Sequence, residues 1–121
     1  MNSTELERKM DIFEKTFEQC GVGLAHVSRH GDFVRVNGKL SRFLGYDSAT
    51  LVKMSFQSIT EPSHLQEDLY LLHQLLRGEI DTYTIEKQYL HAEGHSVWGK
   101  LTVTLVRDDK GEPDYFISVV E

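Results

Sequence analysis

The chain has 121 residues, one cysteine and a formal net charge of -6, which fit a single domain with a modest core. The acidic balance argues against a general affinity for nucleic acid, because binding to phosphates needs a clustered basic surface. The lone Cys20 excludes an internal disulfide, and no apolar run approaches the roughly 18 residues that a membrane span needs. We therefore expect a cytoplasmic domain that contacts neither nucleic acid nor, through this segment, a membrane.

An N-terminal helix is predicted to begin near Thr4, because Thr4 and Glu7 fit a capping box, and to run to about Gln19. Its apolar residues follow one another at spacings of four and three, which make a heptad-like stripe: Leu6, Met10, Phe13, Phe17 and Cys20. Two interpretations of this stripe remain open. Either it covers one face of the chain's own sheet, or it pairs with the same helix of a second subunit. The second interpretation predicts a homodimer whose interface consists of Leu6, Met10, Phe13 and Phe17.

A hairpin and two short helices are predicted next. A run that ends at Ser28 and a second run from Phe33 to Val36 are strand-like and are separated by a turn. Asn37 stands where the second strand stops and is placed to cap a short helix that Gly45 terminates. A further short helix is predicted to begin near Asp47.

The longest helix after the first is predicted to begin at Pro62 and Ser63 and to end at Gly78. Its predicted buried stripe consists of four leucines, namely Leu65, Leu69, Leu72 and Leu76. Glu67 and Asp68, in contrast, are predicted to lie on the helix surface, where water solvates both carboxylates.

The stretch from Thr82 to Val106 predicts two long strands joined by a tight turn, in which Gly94 takes a positive φ. A third strand is predicted from Tyr115 to Val120. The predicted order is one helix, two strands, two or three helices and three strands. Strands segregated from helices in this way indicate an α+β domain, with a five-stranded antiparallel sheet that carries helices on one face.

Several short motifs occur in a fixed order along the chain: Asn37, Phe43-Leu44-Gly45-Tyr46, Arg77-Gly78-Glu79, Glu93-Gly94, Trp98 and Gly111-Glu112-Pro113. At these spacings the chain resembles a PAS domain, of the sensory-box, PAS_3-like type found in bacterial signalling proteins. The resemblance implies a PAS domain at residues 21–121 that follows a flanking helix at residues 1–20. It also implies dimerisation, small-ligand sensing and a C-terminal output domain in the parent protein, such as a histidine kinase or a cyclic-di-GMP enzyme.

A pocket between the sheet and the helices is the expected ligand site. Its candidate lining residues are chosen from their faces and positions: Phe43, Leu44, Phe56, Leu69, Leu72, His73, Tyr89 and Trp98. The alternative is that these side chains fill the pocket themselves, in which case the domain is a ligand-free protein–protein interaction module.

No residue pattern indicates catalysis, so we predict a domain with no catalytic residues and no metal site. The sequence contains neither a glycine-x-serine-x-glycine elbow nor a P-loop. His91 and His95 have the spacing of zinc ligands on a helix, but Gly94 places them across a turn. The cofactor is unknown, and a domain without any cofactor is equally compatible with the sequence. We do not expect flavin, because the light-sensing branch of the resembled family needs a cysteine in the helix after Asn37 and this chain has none there. A haem gas sensor that uses His73 as its iron ligand stays as an alternative function.

Overall fold

Five antiparallel strands form one sheet in the spatial order β2-β1-β5-β4-β3. The strands are β1 (Gly23–Ser28), β2 (Phe33–Val36), β3 (Thr82–Leu90), β4 (Ser96–Arg107) and β5 (Pro113–Val120). The computed structural model describes residues 2–121. The prediction of an α+β domain with a five-stranded antiparallel sheet is confirmed.

Four helices accompany the sheet, namely α1 (Ser3–Gln19), α2 (Gly38–Leu44), α3 (Ser48–Leu51) and α4 (Pro62–Leu76), with a 3-10 turn at Gln57–Ile59. Apolar side chains of α2, α3 and α4 join those of the sheet in a single core, whose least exposed members include Leu44, Leu51 and Leu75. Within residues 2–121, no helix has both the length and the apolar character needed to cross a membrane.

The β3–β4 hairpin is the longest paired segment, and its register runs from Thr82 opposite Thr104 to Leu90 opposite Ser96. Side chains alternate between the two faces of a strand, so every second residue of β3 points towards the helices. Gly94 lies in the turn with a φ of +95°, as the sequence predicts. This hairpin therefore presents one continuous inner face to α4.

Two helix caps differ from the sequence-based predictions. The N-cap of α1 is Asn2, whose side chain accepts the backbone N–H of Glu5 at 2.8 Å, and not Thr4. The N-cap of α4 is Glu61, whose carboxylate accepts the backbone N–H of Ser63 at 2.9 Å. In α1 a residue nearer the N-terminus already satisfies a free amide, so the helix begins at Ser3, before the predicted capping box. The start of α4 at Pro62 agrees with the prediction.

Asn37 caps α2 as predicted, but it also joins three separate segments. Its Oδ1 accepts the backbone N–H groups of Leu24 and Leu40, each at 3.0 Å. Its Nδ2 donates to the carbonyl oxygens of Phe17 at 2.9 Å and Val22 at 3.0 Å. The side chain is fully buried, so these four bonds tie the end of α1 and the start of β1 to α2.

We expect Asn37→Ala to lower the free energy of unfolding by about 2–4 kcal/mol, since it removes a cap and leaves buried polar groups without partners. Urea denaturation followed by circular dichroism measures this change. Asp47→Ala is the matched control, because Asp47 caps α3 through Thr50 in an exposed position. The control is expected to cost about 1 kcal/mol. Equal losses in the two variants would contradict the role of Asn37 as a junction.

Candidate functional site

A small cavity lies between the inner face of the sheet and the helices, with a volume of about 30 Å³. Most of its wall is apolar and comes from the sheet, from α2 and α4, and from the segment before α4: Val27, Phe33, Leu40, Leu44, Phe56, Ile59, Leu72, Leu101, Val103, Phe116 and Val120. The remaining lining residues are polar or carry a polar group, namely Asp68, Tyr83, Lys87, Tyr89 and Ser118. A water molecule needs roughly 10–15 Å³ of such space, so the cavity has room for one or two waters.

A fully buried ion pair forms the polar side of this cavity. Lys87 of β3 and Asp68 of α4 are each 1% exposed, and the Lys87 Nζ lies 2.5 Å from Asp68 Oδ2. The hydroxyl of Tyr83 donates to Asp68 Oδ1 at 2.5 Å, and Lys87 Nζ also donates to Thr60 Oγ1 at 2.8 Å. The hydroxyl of Thr60 in turn donates to the Phe56 carbonyl at 2.7 Å. The polar cluster therefore joins α4, β3 and the segment that leads into α4.

Burial dominates the electrostatics of this cluster. Removal from water lowers the pKa of the Lys87 ammonium, and the neighbouring Asp68 carboxylate opposes that shift without reversing it. Burial, and then the negative charge of Asp68, raise the pKa of the Tyr83 hydroxyl well above its ordinary value. The Lys87 Nζ also lies 4.6 Å from the centre of the Tyr89 ring, close enough for a cation–π interaction. Most polar groups of the cluster therefore find their hydrogen-bond partners within the cluster itself.

The hydroxyl of Tyr89 is the exception. Tyr89 is 3% exposed and lines the cavity, yet its hydroxyl oxygen has no hydrogen-bond partner within residues 2–121. Burial and the charge of Asp68 raise the pKa of this hydroxyl, which therefore stays protonated and can act as a donor or an acceptor. A buried polar group of this kind is costly unless a ligand or water satisfies it.

Of the eight predicted pocket residues, four line the cavity: Leu44, Phe56, Leu72 and Tyr89. Phe43 and Leu69 are half-buried and pack against the same core, with the Phe43 ring 5.7 Å from that of Tyr89. His73 and Trp98 do not line the cavity, contrary to the prediction. His73 is on an exposed part of α4. Trp98 pairs with Gln88 on the outer face of the sheet and is 60% exposed, with its ring beside His64.

Asp68 and Lys87 are the site residues that sequence reasoning missed. Asp68 was expected on the surface of α4, but the buried residues of this helix are Asp68, Leu72 and Leu75. The buried face is therefore rotated away from the predicted leucine stripe, because Lys87 gives the carboxylate an internal partner. The strand alternation that places Tyr83 and Tyr89 inside also places Lys87 inside, so this signal was available in the sequence.

The outer face of the sheet holds the end of α1. Phe17 is 8% exposed, and its ring lies 5.2 Å from the ring of His26, which in turn lies 5.2 Å from Tyr115. The Arg35 guanidinium covers the Phe17 ring at 3.9 Å and bonds to Glu14 at 2.7 Å. Phe17 is thus packed against its own sheet, as one of the two interpretations of the α1 stripe requires.

The rest of the α1 stripe has no such cover. Leu6, Met10 and Phe13 are 51%, 58% and 73% exposed, and they follow one another on one face of the helix. A helix that docks only through its last turn gains little from its own domain, because short isolated helices are marginal in water. The α1 stripe therefore has two parts: Phe17 packs against the domain's own sheet, and the other three residues are exposed.

We expect His26 to make the stability of the fold depend on pH. Burial, and then the positive charge of Arg35, lower the pKa of His26 in the folded state. As pH falls through about 6.5 the unfolded chain takes up this proton first, so the stability of the fold decreases towards the lower folded pKa. We expect wild-type protein to lose stability between pH 7.5 and pH 5.5 in urea titrations. His26→Gln should lose less, whereas the exposed control His73→Gln should behave as wild type. An unchanged loss in His26→Gln would contradict this assignment.

The PAS_3 family model, described as PAS fold, matches residues 33–120. The protein named "Probable diguanylate cyclase DgcE" of Escherichia coli (strain K12) is 39% identical over 109 residues, which are 90% of this chain and 10% of that protein. The sensor histidine kinase TmoS of Ectopseudomonas mendocina is 21% identical over 109 residues, which are 90% of this chain and 11% of that protein. The chain therefore spans about a tenth of the length of these two relatives.

A solved structure agrees with this assignment of the fold. The crystal structure of a PAS domain from Colwellia psychrerythraea superposes with a TM-score of 0.84 at 12% sequence identity. The superposition covers 93% of this chain and 95% of that chain. At so low an identity the likeness shows the fold alone, so the function depends on the site residues described above.

Proposed function

Because the chain belongs to the PAS_3 family, we propose that it is a sensory, non-catalytic domain of a longer bacterial signalling protein. The two relatives are a diguanylate cyclase and a sensor histidine kinase by name, and each is about ten times as long as the matched segment. These names support a longer parent protein with an output domain of one of these two classes, and we propose that this domain lies C-terminal to the PAS domain. We also propose a cytoplasmic location for this segment.

One observation carries the sensory proposal: β1 contacts the cavity with one face and α1 with the other. Val27 lines the cavity, while its neighbour His26 packs against Phe17 of α1. A change in the cavity that shifts β1 therefore also changes the surface on which α1 is seated. A ligand alters the output only if it binds two arrangements of this unit with different affinities.

The cavity suggests which ligand the domain takes. Its apolar walls favour a small molecule with an apolar body, and the Tyr89 hydroxyl offers the hydrogen bond that orients it. At about 30 Å³ the cavity admits at most a few non-hydrogen atoms unless side chains move. Haem and flavin are far larger, and the exposure of His73 gives no support to the haem alternative.

Dimerisation through α1 is the second part of the proposal. The exposed face of Leu6, Met10 and Phe13 fits the same face of a second copy, because a stripe with heptad spacing packs against its own twin. Residues 1–20 then act as the flanking helix that transmits changes from the domain at residues 21–121.

Native mass spectrometry of gently purified protein tests the ligand. We expect a fraction of the wild-type protein to carry a small molecule, and Tyr89→Phe to carry less of it. Ser118→Val should carry none, because the added methyl groups fill the cavity from β5. Thr102→Val is the matched control, since Thr102 lies on the outer face of the sheet and pairs with Val119. If wild type and Ser118→Val are equally free of ligand, the ligand-free interaction module is the better description.

That second candidate has its own support in the size of the cavity. An interior with space for only one or two waters is close to a packed core, and the polar cluster is nearly complete without a ligand. In that case the domain serves only to bring two copies of the parent protein together through α1.

A further inference from the structure

The turn between β3 and β4 brings two histidines together. The backbone N–H of His91 donates to the His95 carbonyl at 2.8 Å, and that of Gly94 donates to the His91 carbonyl at 2.9 Å. These bonds close a short loop with His91 and His95 at its two ends. Their imidazole rings stack with centres 4.4 Å apart and planes inclined by 19°.

Glu93 completes a set of metal-binding groups at the same place. One nitrogen from each imidazole and one carboxylate oxygen of Glu93 all lie within 4.8 Å of one another. Zinc accepts such ligands at about 2.0–2.2 Å, which puts them roughly 3.3 Å apart around a tetrahedral ion and leaves one position for water. Because Glu93 and His95 are exposed, rotation of their side chains closes the remaining gap without moving the core.

We propose that His91, Glu93 and His95 bind one Zn²⁺ ion at the tip of the β3–β4 hairpin. The sequence-based prediction of no metal site rested on Gly94, which places the two histidines across a turn and not on a helix. A hairpin achieves the same approach differently, because residues that close a loop stand opposite each other and present their side chains on one face. Imidazole nitrogen with a single carboxylate suits zinc better than calcium or magnesium, which prefer oxygen ligands.

One local interaction competes with the ion. The Nδ1 of His91 accepts the backbone N–H of Glu93 at 3.1 Å. A neutral imidazole has one acceptor nitrogen, so coordination through either nitrogen of His91 removes this hydrogen bond. The Glu93 N–H is at an exposed turn and can then bond to water. The site should consequently bind zinc with moderate affinity.

The position of the hairpin connects this site to α2. The His91 ring lies directly over Gly45, where a Cβ would come within 2.3 Å of the imidazole Cε1. The backbone N–H of Ala92 donates to the carbonyl of Leu44 at 2.9 Å, and Leu44 lines the cavity. A bound ion therefore fixes the His91 ring, which packs on the end of α2, whether or not the cavity takes a ligand.

Isothermal titration of ZnCl2 into the protein, freed of any histidine tag, tests the proposal. We expect one Zn²⁺ per chain, and binding weaker by at least about tenfold in His95→Ala and in Glu93→Gln. His73→Ala and His30→Ala are the matched controls, since both histidines are exposed and lie outside the cluster. Both controls should bind as tightly as wild type.

In ¹H–¹⁵N spectra, zinc should shift the amides of residues 91–95 and of Leu44 and Gly45.

Two results would overturn the site: His95→Ala that binds zinc as tightly as wild type, or His73→Ala that weakens binding equally. Unfolding is not a concern for His95→Ala and Glu93→Gln, whose side chains are on the surface, and the melting temperature without zinc verifies this. With zinc, the melting temperature should rise in wild type and not in His95→Ala.

Discussion

Replacing Lys87 with methionine is expected to lower the free energy of unfolding by about 3–5 kcal/mol, because it leaves the Asp68 carboxylate buried without its cation. Asp68 is 1% exposed, and its other partner, Tyr83, carries no charge. The loss is large against the roughly 5–15 kcal/mol by which a domain of this size is stable. Urea denaturation followed by circular dichroism and by tryptophan fluorescence measures it.

Two further variants make this prediction specific. Lys100→Met changes the same side-chain type on the neighbouring strand, where Lys100 is exposed opposite Glu86, and should change stability by no more than about 0.5 kcal/mol. The triple variant Lys87→Met, Asp68→Leu, Tyr83→Phe removes both charges of the pair and the Tyr83 hydroxyl, and it should recover most of the loss. If Lys87→Met alone lowers the free energy of unfolding no more than Lys100→Met does, the ion pair does not hold α4 to β3.

The same variants bear on sensing. The ion pair is a buried polar connection between α4 and β3, and its members line the cavity beside the unpaired hydroxyl of Tyr89. A buried ion pair adds little to stability relative to an apolar pair of similar shape, so stability alone does not explain its presence. We infer that it fixes the orientation of α4 over the cavity, and the triple variant should then keep its stability while it binds any cavity ligand differently.

Substitution of Phe13 by aspartate is expected to convert a dimer into a monomer. Phe13 is the most exposed residue of the α1 stripe, at 73%, and contributes nothing to the core of its own domain. A charge at the centre of an apolar helix pair is not compensated by a partner, so association should weaken by at least about 100-fold. Light scattering during size-exclusion chromatography gives the mass of each species.

Tyr70→Asp is the matched control, because Tyr70 is an exposed aromatic residue at 62% on a different helix, α4. It should leave the dimer intact. Circular dichroism must show the same fold in both variants. Phe17→Asp is a less suitable test, since Phe17 is buried against His26 and Arg35 and its loss disturbs the seating of α1. A wild-type protein that is monomeric at high concentration, or a dimeric Phe13→Asp variant, would contradict dimerisation through α1.

Much of the architecture could be predicted from local patterns. Period-two alternation located β3 and β4, Gly94 marked the turn between them, and Asn37 marked the start of α2. These signals act between residues close in sequence, where backbone geometry and hydrogen bonding within a few positions decide the outcome. The family also followed from short motifs in a constant order, and the family match at residues 33–120 agrees.

Only the tertiary structure decided which polar residues meet. Asp68 and Lys87 are 19 positions apart. The cost of burying either charge is offset only when the other charge is beside it. Asn37 likewise depends on a distant partner, because it donates to the Phe17 carbonyl 20 positions away. Phe17 itself belongs to the α1 stripe by its spacing, but it is buried against the sheet. Sequence patterns show which face of a helix or strand is apolar. The free-energy cost of burying a charge, in contrast, depends on a partner that is distant in sequence, and only the packing of the fold brings that partner into contact.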